Sequence, residues 1–211
     1  MSECILLSIV TPCFNEEENI DELYTRIKAA TVDLKKYEFE LIFIDNHSED
    51  TSVAKLKRLA AIDPMVKIIV NTRNFGHIRS PYYGILQSRG AATIYLASDL
   101  QDPPELIPQF VKQWENGYKL VMATKPTSEM SSWFHALRKL YYNIINGISD
   151  ITIIKNSTGF GLYDQEVLEH LRKIDDPYPF LRGLICELGF EIKTIKFNQP
   201  KRSRGISKSN I

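Results

Sequence analysis

The sequence is poor in cysteine, and its few cysteines follow no pattern. Cys4, Cys13 and Cys186 are odd in number and widely spaced along 211 residues, so they predict neither a disulfide framework nor a thiolate metal site. This usage is typical of a reduced, cytosolic setting. Cys4 and Cys13 flank or lie in an apolar run, and we expect both to be core or near-core thiols.

Long apolar runs and an excess of one charge are also missing. No stretch approaches the ~18 apolar residues of a membrane-spanning helix, and the N-terminus lacks the basic and apolar regions of a signal peptide. Lys+Arg and Asp+Glu both number 26, and a net charge of zero argues against a protein that coats nucleic acid. The charge is uneven, however, because acidic residues crowd positions 16–22 and basic residues crowd positions 193–208.

The sequence does have a regular alternation of strand and helix patterns. Helical patterns separate the predicted strands; we expect Asn15 to cap the first helix and Pro81 to fall in the first turn of the third. This order, with short links and a length suited to one domain, predicts an α/β fold with a mostly parallel, doubly wound sheet. Apolar runs mark the five predicted strands at residues 5–11, 39–44, 66–70, 93–97 and 118–123.

Unusual polar turns follow the first four predicted strands, at residues 12–16, 45–51, 71–77 and 98–102. The carboxyl ends of parallel strands meet at one edge of a sheet, which is where ligands bind in open α/β folds. We therefore expect the four turns to form one site.

The stretch 97–105 follows the fourth strand and carries side chains suited to a metal. In an extended segment Asp99 and Gln101 would point the same way. Their oxygens suit a hard cation such as Mg2+ or Mn2+, which usually also takes phosphate oxygens from a substrate. Asp102 and Pro103 equally predict the N-cap and the first residue of a helix. The two interpretations are compatible, because Asp102 can cap while Asp99 and Gln101 bind metal.

The pattern changes after Thr124. Residues 131–148 predict an amphipathic helix that either packs on the domain or touches a membrane. Residues 156–161 predict a loop rich in small residues. The rest of the chain predicts helices near 164–172 and 178–188, a strand at 191–197 and a basic segment at 201–208. If this segment folds back, it would neutralise the diphosphate of a ligand held by the four turns.

Four stretches, at residues 12–20, 45–51, 74–76 and 99–105, together resemble family 2 inverting glycosyltransferases. The branch they are most similar to comprises the polyprenyl-phosphate transferases, such as dolichol-phosphate mannose synthase and bacterial undecaprenyl-phosphate glucosyltransferases. Arg202 and the run Gly205-Ile206-Ser207-Lys208 are similar to the basic closing motif of that branch. The resemblance covers essentially the whole chain, and the motifs are specific in this order although each is weak alone.

The resemblance implies a GT-A fold, a nucleotide-sugar donor and a divalent cation, Mg2+ or Mn2+. It divides the single domain into a nucleotide-sugar-binding half, 1–124, and an acceptor-side half, 125–211. Asp99 and Gln101 match metal and diphosphate ligands, and Asp99, Arg202 and Lys208 match the catalytic residues. The residues that match contacts to the nucleotide sugar are Pro12, Asn15, Glu16, Asp45, Ser48, Asn74, Gly76 and Asp99.

From the residues alone, two of these assignments have an alternative. Glu16 equally predicts an acidic residue complementing a helix dipole, and Asp45 equally predicts a turn cap.

The resemblance also implies hexosyl transfer to a polyprenyl phosphate with inversion, at the inner face of the cytoplasmic membrane, and it leaves self-assembly open. No Asp stands in residues 156–161, where relatives with hydroxyl acceptors would have a general base. A phosphate monoester, with a second pKa of about 6, needs no such base at neutral pH. Relatives in this branch usually continue into interface helices and membrane spans, which would begin where this chain ends. Two alternatives stay open, a soluble transferase with a saccharide acceptor and a non-catalytic nucleotide-sugar-binding module.

Departures from the family pattern also stand at the predicted site. Ala97 replaces the first Asp of an Asp-x-Asp motif, which predicts weaker metal binding in the absence of nucleotide, since Mg2+ commonly uses one or two protein carboxylates. Asn46 and His47 replace an Asp-Gly pair, and His77 stands where many relatives have Lys. The two histidines predict either ligands or solvated, turn-capping side chains.

Overall fold

The computed structural model of the chain describes residues 4–125 and 157–200. These residues form one seven-stranded sheet with the strand order β3-β2-β1-β4-β6-β5-β7. The strands are β1 (Ile5–Cys13), β2 (Tyr37–Asp45), β3 (Val66–Val70), β4 (Ala92–Tyr95), β5 (Leu120–Thr124), β6 (Ser157–Asp164) and β7 (Ile192–Lys196). The described helices are α1 (Ile20–Thr31), α2 (Ser52–Ile62), α3 (Gly76–Leu86), a 3-10 turn (Pro104–Leu106), α4 (Ile107–Glu115), α5 (Gln165–Arg172) and α6 (Leu181–Glu187).

The sheet is mostly parallel, as the alternating pattern predicts. β1 is parallel to β2 and β4, β2 is parallel to β3, and β5 is parallel to β7. β6 alone runs antiparallel, between β4 and β5. β1 to β4 are thus aligned, and their carboxyl ends lie at one edge of the sheet.

Alternation along the strands divides the core between the two faces of the sheet. Ile9 faces a cluster that includes side chains of α1, α2 and α4, whereas the next residue, Val10, faces a cluster that includes α3, α5 and α6. Cys13 is buried as predicted, but the prediction for Cys4 is wrong, because this thiol is exposed ahead of the first strand.

The loop predicted at residues 156–161 is wrong, because residues 157–161 belong to strand β6. Their small side chains are typical of a loop, but here they permit close packing. A Cβ atom on Gly161 would lie 2.2 Å from the carbonyl oxygen of Val121 on β5, so no larger residue fits at this position. Gly159 has a positive φ of 94°, which glycine adopts without strain.

Two helix starts also differ from the sequence prediction. Helix α1 begins at Ile20, and Asn15 lies upstream in the left-handed region with a φ of 53° instead of capping it. Helix α3 begins at Gly76, so Pro81 falls in its second turn, where the proline ring removes one helical hydrogen bond.

Some predictions concern residues outside 4–125 and 157–200, namely the helix at 131–148, Arg202, Lys208 and the basic segment. The division at residue 124 into a nucleotide-sugar-binding half and an acceptor-side half stays a prediction. All seven described strands belong to one sheet, so the sheet extends across this boundary. Within the described ranges, none of the helices has the length and apolar character needed to cross a bilayer.

Candidate functional site

A cleft of about 380 Å3 lies at the carboxyl edge of the sheet, and because the family resemblance predicts a nucleotide-sugar donor at this edge, we call it the donor cleft. All four strand-end turns contribute to its lining, which confirms that they converge on one site. Helix α3 closes one side with Ser80 and Pro81. The other lining residues are Pro12, Cys13, Phe14, Glu16, Asn46, Asn74, Gly76, His77, Tyr95, Ala97, Ser98 and Asp99.

Hydrogen bonds join the turn after β1 to the turn after β2. The backbone N–H of Asn15 donates to Ser48 Oγ at 2.8 Å, and Asn15 Oδ1 accepts from the backbone N–H of Glu49 at 2.8 Å. Ser48 donates in turn to Asp45, whose other carboxylate oxygen accepts from the Ser48 N–H at 2.9 Å. Asp45 is fully buried and does not line the donor cleft. Its hydrogen bonds with Ser48 hold the second turn in shape.

The acidic run after β1 is tied to the start of α2. Glu16 is buried, its backbone N–H donates to Ser52 Oγ at 3.0 Å, and its carboxylate accepts from Asn19 Nδ2 at 2.6 Å. The hydroxyl and backbone N–H of Thr51 both donate to Glu17, and they lower the pKa of its carboxyl. Glu16 and Glu17 therefore fix the first turn against the second, and α1 begins after them, at Ile20.

Asn46 connects the second turn to the third, a role that sequence reasoning did not assign to it. Its Nδ2 donates to Asn74 Oδ1 at 2.8 Å, and its Oδ1 accepts from the backbone N–H of Phe75 at 2.8 Å. Asn71 Nδ2 donates to the same oxygen at 3.1 Å. The position of Asn46, directly after a buried strand at the site edge, is the signal that could have identified it.

Strained backbone lies at three of the four turns. Asn15, His47 and Leu100 have φ values of 53°, 68° and 62°, and they are the non-glycine residues with positive φ in the described chain. The left-handed conformation costs a side-chain-bearing residue roughly 1–2 kcal/mol. Such conformations cluster at functional sites, where the surrounding structure holds them in place.

The fourth turn is not extended, contrary to the sequence prediction. Leu100 turns the chain and buries its own side chain, and Asp99 Oδ1 accepts from the backbone N–H of Gln101 at 3.1 Å. Asp99 lines the donor cleft, whereas Gln101 does not, and Gln101 Nε2 donates to the carbonyl of Pro200 at 3.4 Å. Ser98 Oγ donates to the Pro12 carbonyl at 2.7 Å and joins this turn to the first.

Asp102 does not cap a helix; it closes the fourth turn. Its Oδ2 accepts from the backbone N–H of Ala97 at 3.0 Å, and the 3-10 turn begins after Pro103 without a side-chain cap. Burial raises the pKa of this carboxyl to about 6; the Ala97 N–H opposes this rise, and the nearby Asp99 adds to it. Asp102 therefore stabilises the fourth turn from a buried position, while Asp99 faces the cleft.

The donor cleft fits a cation that arrives with a phosphate ligand better than a metal held by protein alone. Asp99 and Glu16 are the carboxylates in the lining, and Ala97 supplies none. No cluster of three or more His, Cys, Asp or Glu side chains that could hold a metal occurs in residues 4–125 and 157–200. Mg2+ is commonly bound by one or two carboxylates together with substrate phosphates, and the lining matches that donor set.

The predicted site residues thus fall into two groups within the described chain. Asn15, Asp45, Ser48 and Gln101 shape the turns without lining the cleft. Those that line the donor cleft are Pro12, Glu16, Asn74, Gly76 and Asp99.

Comparison with known proteins gives one family and a set of related sequences. The family model described as "Glycosyl transferase family 2" matches residues 8–172. The chain is 35% identical over 209 residues to an uncharacterized glycosyltransferase, YkcC, of Bacillus subtilis, covering 99% of this chain and 64% of that protein. It is 33% identical over 207 residues to the bactoprenol glucosyl transferase of Shigella phage SfX, covering 97% of this chain and 67% of the relative. The chain thus spans about two thirds of the length of these relatives.

Solved structures confirm the GT-A type of fold. A mannosyltransferase from Pyrobaculum calidifontis in complex with GDP-Man and Mn2+ superposes with a TM-score of 0.61 at 15% identity, covering 96% of this chain and 59% of that one. A glucosyl-3-phosphoglycerate synthase from Mycobacterium tuberculosis, in complex with Mn2+, UDP and glucosyl-3-phosphoglycerate, gives 0.60 at 18% identity, covering 95% of this chain and 73% of that one.

Proposed function

This chain belongs to glycosyl transferase family 2, and we propose that it transfers a sugar from a nucleotide-sugar donor to a polyprenyl phosphate with inversion. The observation that carries the proposal is the convergence of four strand-end turns on the donor cleft, with Asp99 in its lining. The bactoprenol glucosyl transferase, a relative whose name states a polyprenyl acceptor, supports the acceptor class.

The proposed reaction is a single in-line displacement. A phosphate oxygen of the acceptor attacks the anomeric carbon, the bond from that carbon to the donor diphosphate breaks, and the nucleoside diphosphate leaves with the electron pair. A phosphate monoester is largely a dianion at neutral pH, so it attacks without giving up a proton to the protein. The protein therefore has to position the two substrates and stabilise the negative charge that develops on the leaving diphosphate.

The hydrogen-bonded turns position the donor. Hydrogen bonds from Asn46 to the third turn and from Ser98 to the first hold the rims of the cleft before the donor arrives. A preformed site costs little reorganisation when charge develops in the transition state.

We propose Asp99 as the protein ligand of Mg2+ or Mn2+. The bound cation would neutralise charge on the donor diphosphate. Arg202 and Lys208 belong to the same proposal as cations that close over the diphosphate, and the donor and acceptor would meet at the inner face of a membrane.

A transfer assay tests the proposed function. Labelled UDP-, GDP- and dTDP-sugars are incubated with Mg2+ or Mn2+ and undecaprenyl phosphate, and the organic phase is counted. At least one donor should give an organic-extractable product that mild acid releases as free sugar. Transfer to water-soluble saccharides alone would contradict the polyprenyl phosphate acceptor.

One observation favours a second candidate function, a nucleotide-sugar-binding module without turnover. Ala97 lines the donor cleft where a second carboxylate would strengthen metal binding. Donor binding without product in the same assay, with the acceptor presented in membranes, would support this function over transfer.

A further inference from the structure

A second cleft, of about 340 Å3, opens beside the donor cleft between α3 and the segment that leads into α6. We propose that this cleft binds the phosphate end and the first isoprene units of the acceptor. We call it the isoprenoid cleft, and its assignment rests on the proposed function.

The two clefts are adjacent. His77, Pro81 and Tyr95 line both of them, so a ligand in the isoprenoid cleft borders the donor cleft. A displacement at the anomeric carbon needs neighbouring substrate sites, because the attacking phosphate has to reach the donor sugar directly. The volume lies at the low end of the roughly 300–1,000 Å3 of small-molecule sites, which suits the head of a long lipid and not its whole length.

The walls of the isoprenoid cleft are apolar and partly uncovered. Ile78 on α3 is 47% exposed, and Phe180 on the facing segment is 46% exposed. Pro179 and Leu181 continue the apolar wall beside Phe180. Burying such surface against an isoprenoid chain is favourable, at about 25 cal/mol per Å2.

The Phe180 ring lies over a glycine that makes room for it. A Cβ atom on Gly183 would lie 2.6 Å from the ring, so any larger residue would displace it. The exposed ring is therefore packed against α6 and does not project freely into solvent.

Arg182 gives the apolar cleft a cation. Its guanidinium lies 5.4 Å from the Phe180 ring centroid, and one N–H donates to the carbonyl of Ser157 at 2.8 Å. Within residues 4–125 and 157–200 no carboxylate pairs with Arg182. Arginine binds phosphate through several fixed N–H groups, so its free donors suit a phosphate monoester.

The two clefts differ in the sign of the charged side chains that line them. Among the residues that the structure describes, the donor cleft is lined by the carboxylates Glu16 and Asp99, whereas the isoprenoid cleft is lined by Arg182 and no carboxylate. An acceptor phosphate without a metal is therefore better matched to the isoprenoid cleft, while the donor diphosphate can bring a cation into the other.

The experiment measures binding of farnesyl phosphate, a short and soluble isoprenoid phosphate, by calorimetry in the absence of donor. Arg182→Gln and Ile78→Ser change opposite walls of the isoprenoid cleft. Arg89→Gln and Ile62→Ser are the matched controls, because both residues are exposed and lie outside the two clefts. We expect each cleft variant to weaken farnesyl phosphate about tenfold or more, equivalent to about 1.4 kcal/mol. The controls and the binding of nucleoside diphosphate should stay within twofold of wild type.

Two further measurements separate binding from folding and from membrane contact. Arg182→Lys keeps the cation and should bind farnesyl phosphate more tightly than Arg182→Gln does. If Arg182 acted only through its hydrogen bond to Ser157, the variants would lower the melting temperature and leave the affinity for farnesyl phosphate unchanged. Farnesyl phosphate is compared with undecaprenyl phosphate in vesicles, with the acceptor KM and kcat determined separately. In Arg182→Gln and Ile78→Ser, the KM should rise for farnesyl phosphate and for undecaprenyl phosphate alike.

The results that would overturn the assignment are distinct from failure of the proposed function. Unchanged farnesyl phosphate affinity in both cleft variants overturns the assignment while transfer by wild type still stands. Loss confined to the vesicle-borne acceptor also overturns it and indicates a membrane contact. Absence of farnesyl phosphate binding by wild type overturns it as well, and only the additional absence of any transfer contradicts the proposed function.

Discussion

At the scale of single residues, the donor cleft differs from its family pattern most sharply at Ala97. This residue lines the cleft two positions before Asp99, but its methyl group offers a cation no ligand. Asp99 can hold a cation only together with ligands from elsewhere, and the donor diphosphate is the natural source. Metal binding and nucleotide binding should therefore be strongly linked in this protein.

Restoring a carboxylate at this position should weaken that linkage. In Ala97→Asp, we expect Mn2+ to bind about tenfold more tightly in the absence of nucleotide, because ligand charge count sets the affinity of such sites. Titration of Mn2+ against wild type and variant checks the change. Equal Mn2+ affinity in the two proteins would show that residue 97 does not face the cation.

The titration of Asp102 should be visible in the pH dependence of the free energy of unfolding. Its carboxyl has a pKa of about 6 in the folded chain, raised by burial from the ordinary 3.8. Below pH ~4 both states hold the proton; between ~4 and ~6 only the unfolded chain loses it, so stability falls as pH rises through this window. At 1.36 kcal/mol per pKa unit the loss is on the order of 3 kcal/mol.

Asp102→Asn keeps an oxygen that can accept the Ala97 N–H but removes the titration. Urea unfolding from pH 4 to 7 should show a flatter profile for the variant and greater stability than wild type at pH 7. A pH slope as steep as that of wild type would assign the titration to another group.

Sequence reasoning identified the turns of the site better than the contacts within it. Asp99 could be predicted because it follows an apolar strand at the expected edge of the sheet, whereas the assignment of Glu16 came from the family resemblance. The contacts of Asn46 with Asn74 and Phe75 could not, since the residues they join are 28 and 29 positions apart and only the tertiary fold brings them together.

At the scale of elements, the opposite edge of the sheet has its own buried polar group. Glu40 on β2 is 3% exposed, and it accepts hydrogen bonds from Ser8, Lys67 and the backbone N–H of Arg89. These contacts join β1, β2 and β3 to the segment before β4. Burial acts to raise the pKa of this carboxyl, but the hydrogen bonds outweigh it, and the pKa lies below its usual range.

Removing Glu40 should therefore destabilise the sheet without touching the site. Glu40→Ala leaves the buried Ser8 hydroxyl and the Arg89 N–H without this acceptor, and we expect a loss of about 2 kcal/mol in the free energy of unfolding. Glu38→Ala, an exposed change on the same strand, is the control and should stay within ~0.5 kcal/mol of wild type.

The pH dependence of this element has the opposite sign to that of Asp102. A carboxyl whose folded pKa is lowered adds stability above its unfolded pKa, near 4.5, and loses it as pH falls through the folded value. The difference between wild type and Glu40→Ala should shrink below pH ~4. A difference that stays constant down to acid pH would contradict the role of the ionised carboxylate.

Strand β6 shows why element prediction failed at residues 157–161, although the helices near 164–172 and 178–188 and the strand at 191–197 were predicted correctly. Ser157, Gly159 and Gly161 lack the branched and aromatic side chains that mark strands. The strand forms because its neighbours β4 and β5 lie on both sides and leave no room for larger side chains at Gly161. Tertiary packing decides this element, and local pattern does not.

At the scale of the whole molecule, the cleft-lining residues and the buried Glu40 cluster lie toward opposite ends of the strands. The parallel strands carry the four turns to one edge, where strained residues and cleft-lining carboxylates lie, while the buried Glu40 cluster ties together the other end. Helices cover both faces, and the donor cleft opens at the carboxyl edge, where we propose that a donor and an acceptor meet.

Calorimetric titration with UDP, GDP and dTDP, each with and without Mn2+, tests the central claim most directly when wild type is compared with Asp99→Ala. Wild type should bind at least one nucleoside diphosphate more tightly with Mn2+ than without it. Asp99→Ala should lose that enhancement while it keeps the metal-independent part of the affinity. Absence of nucleotide binding by wild type, or an undiminished Mn2+ enhancement in Asp99→Ala, would contradict the assignment of this cleft as the donor site.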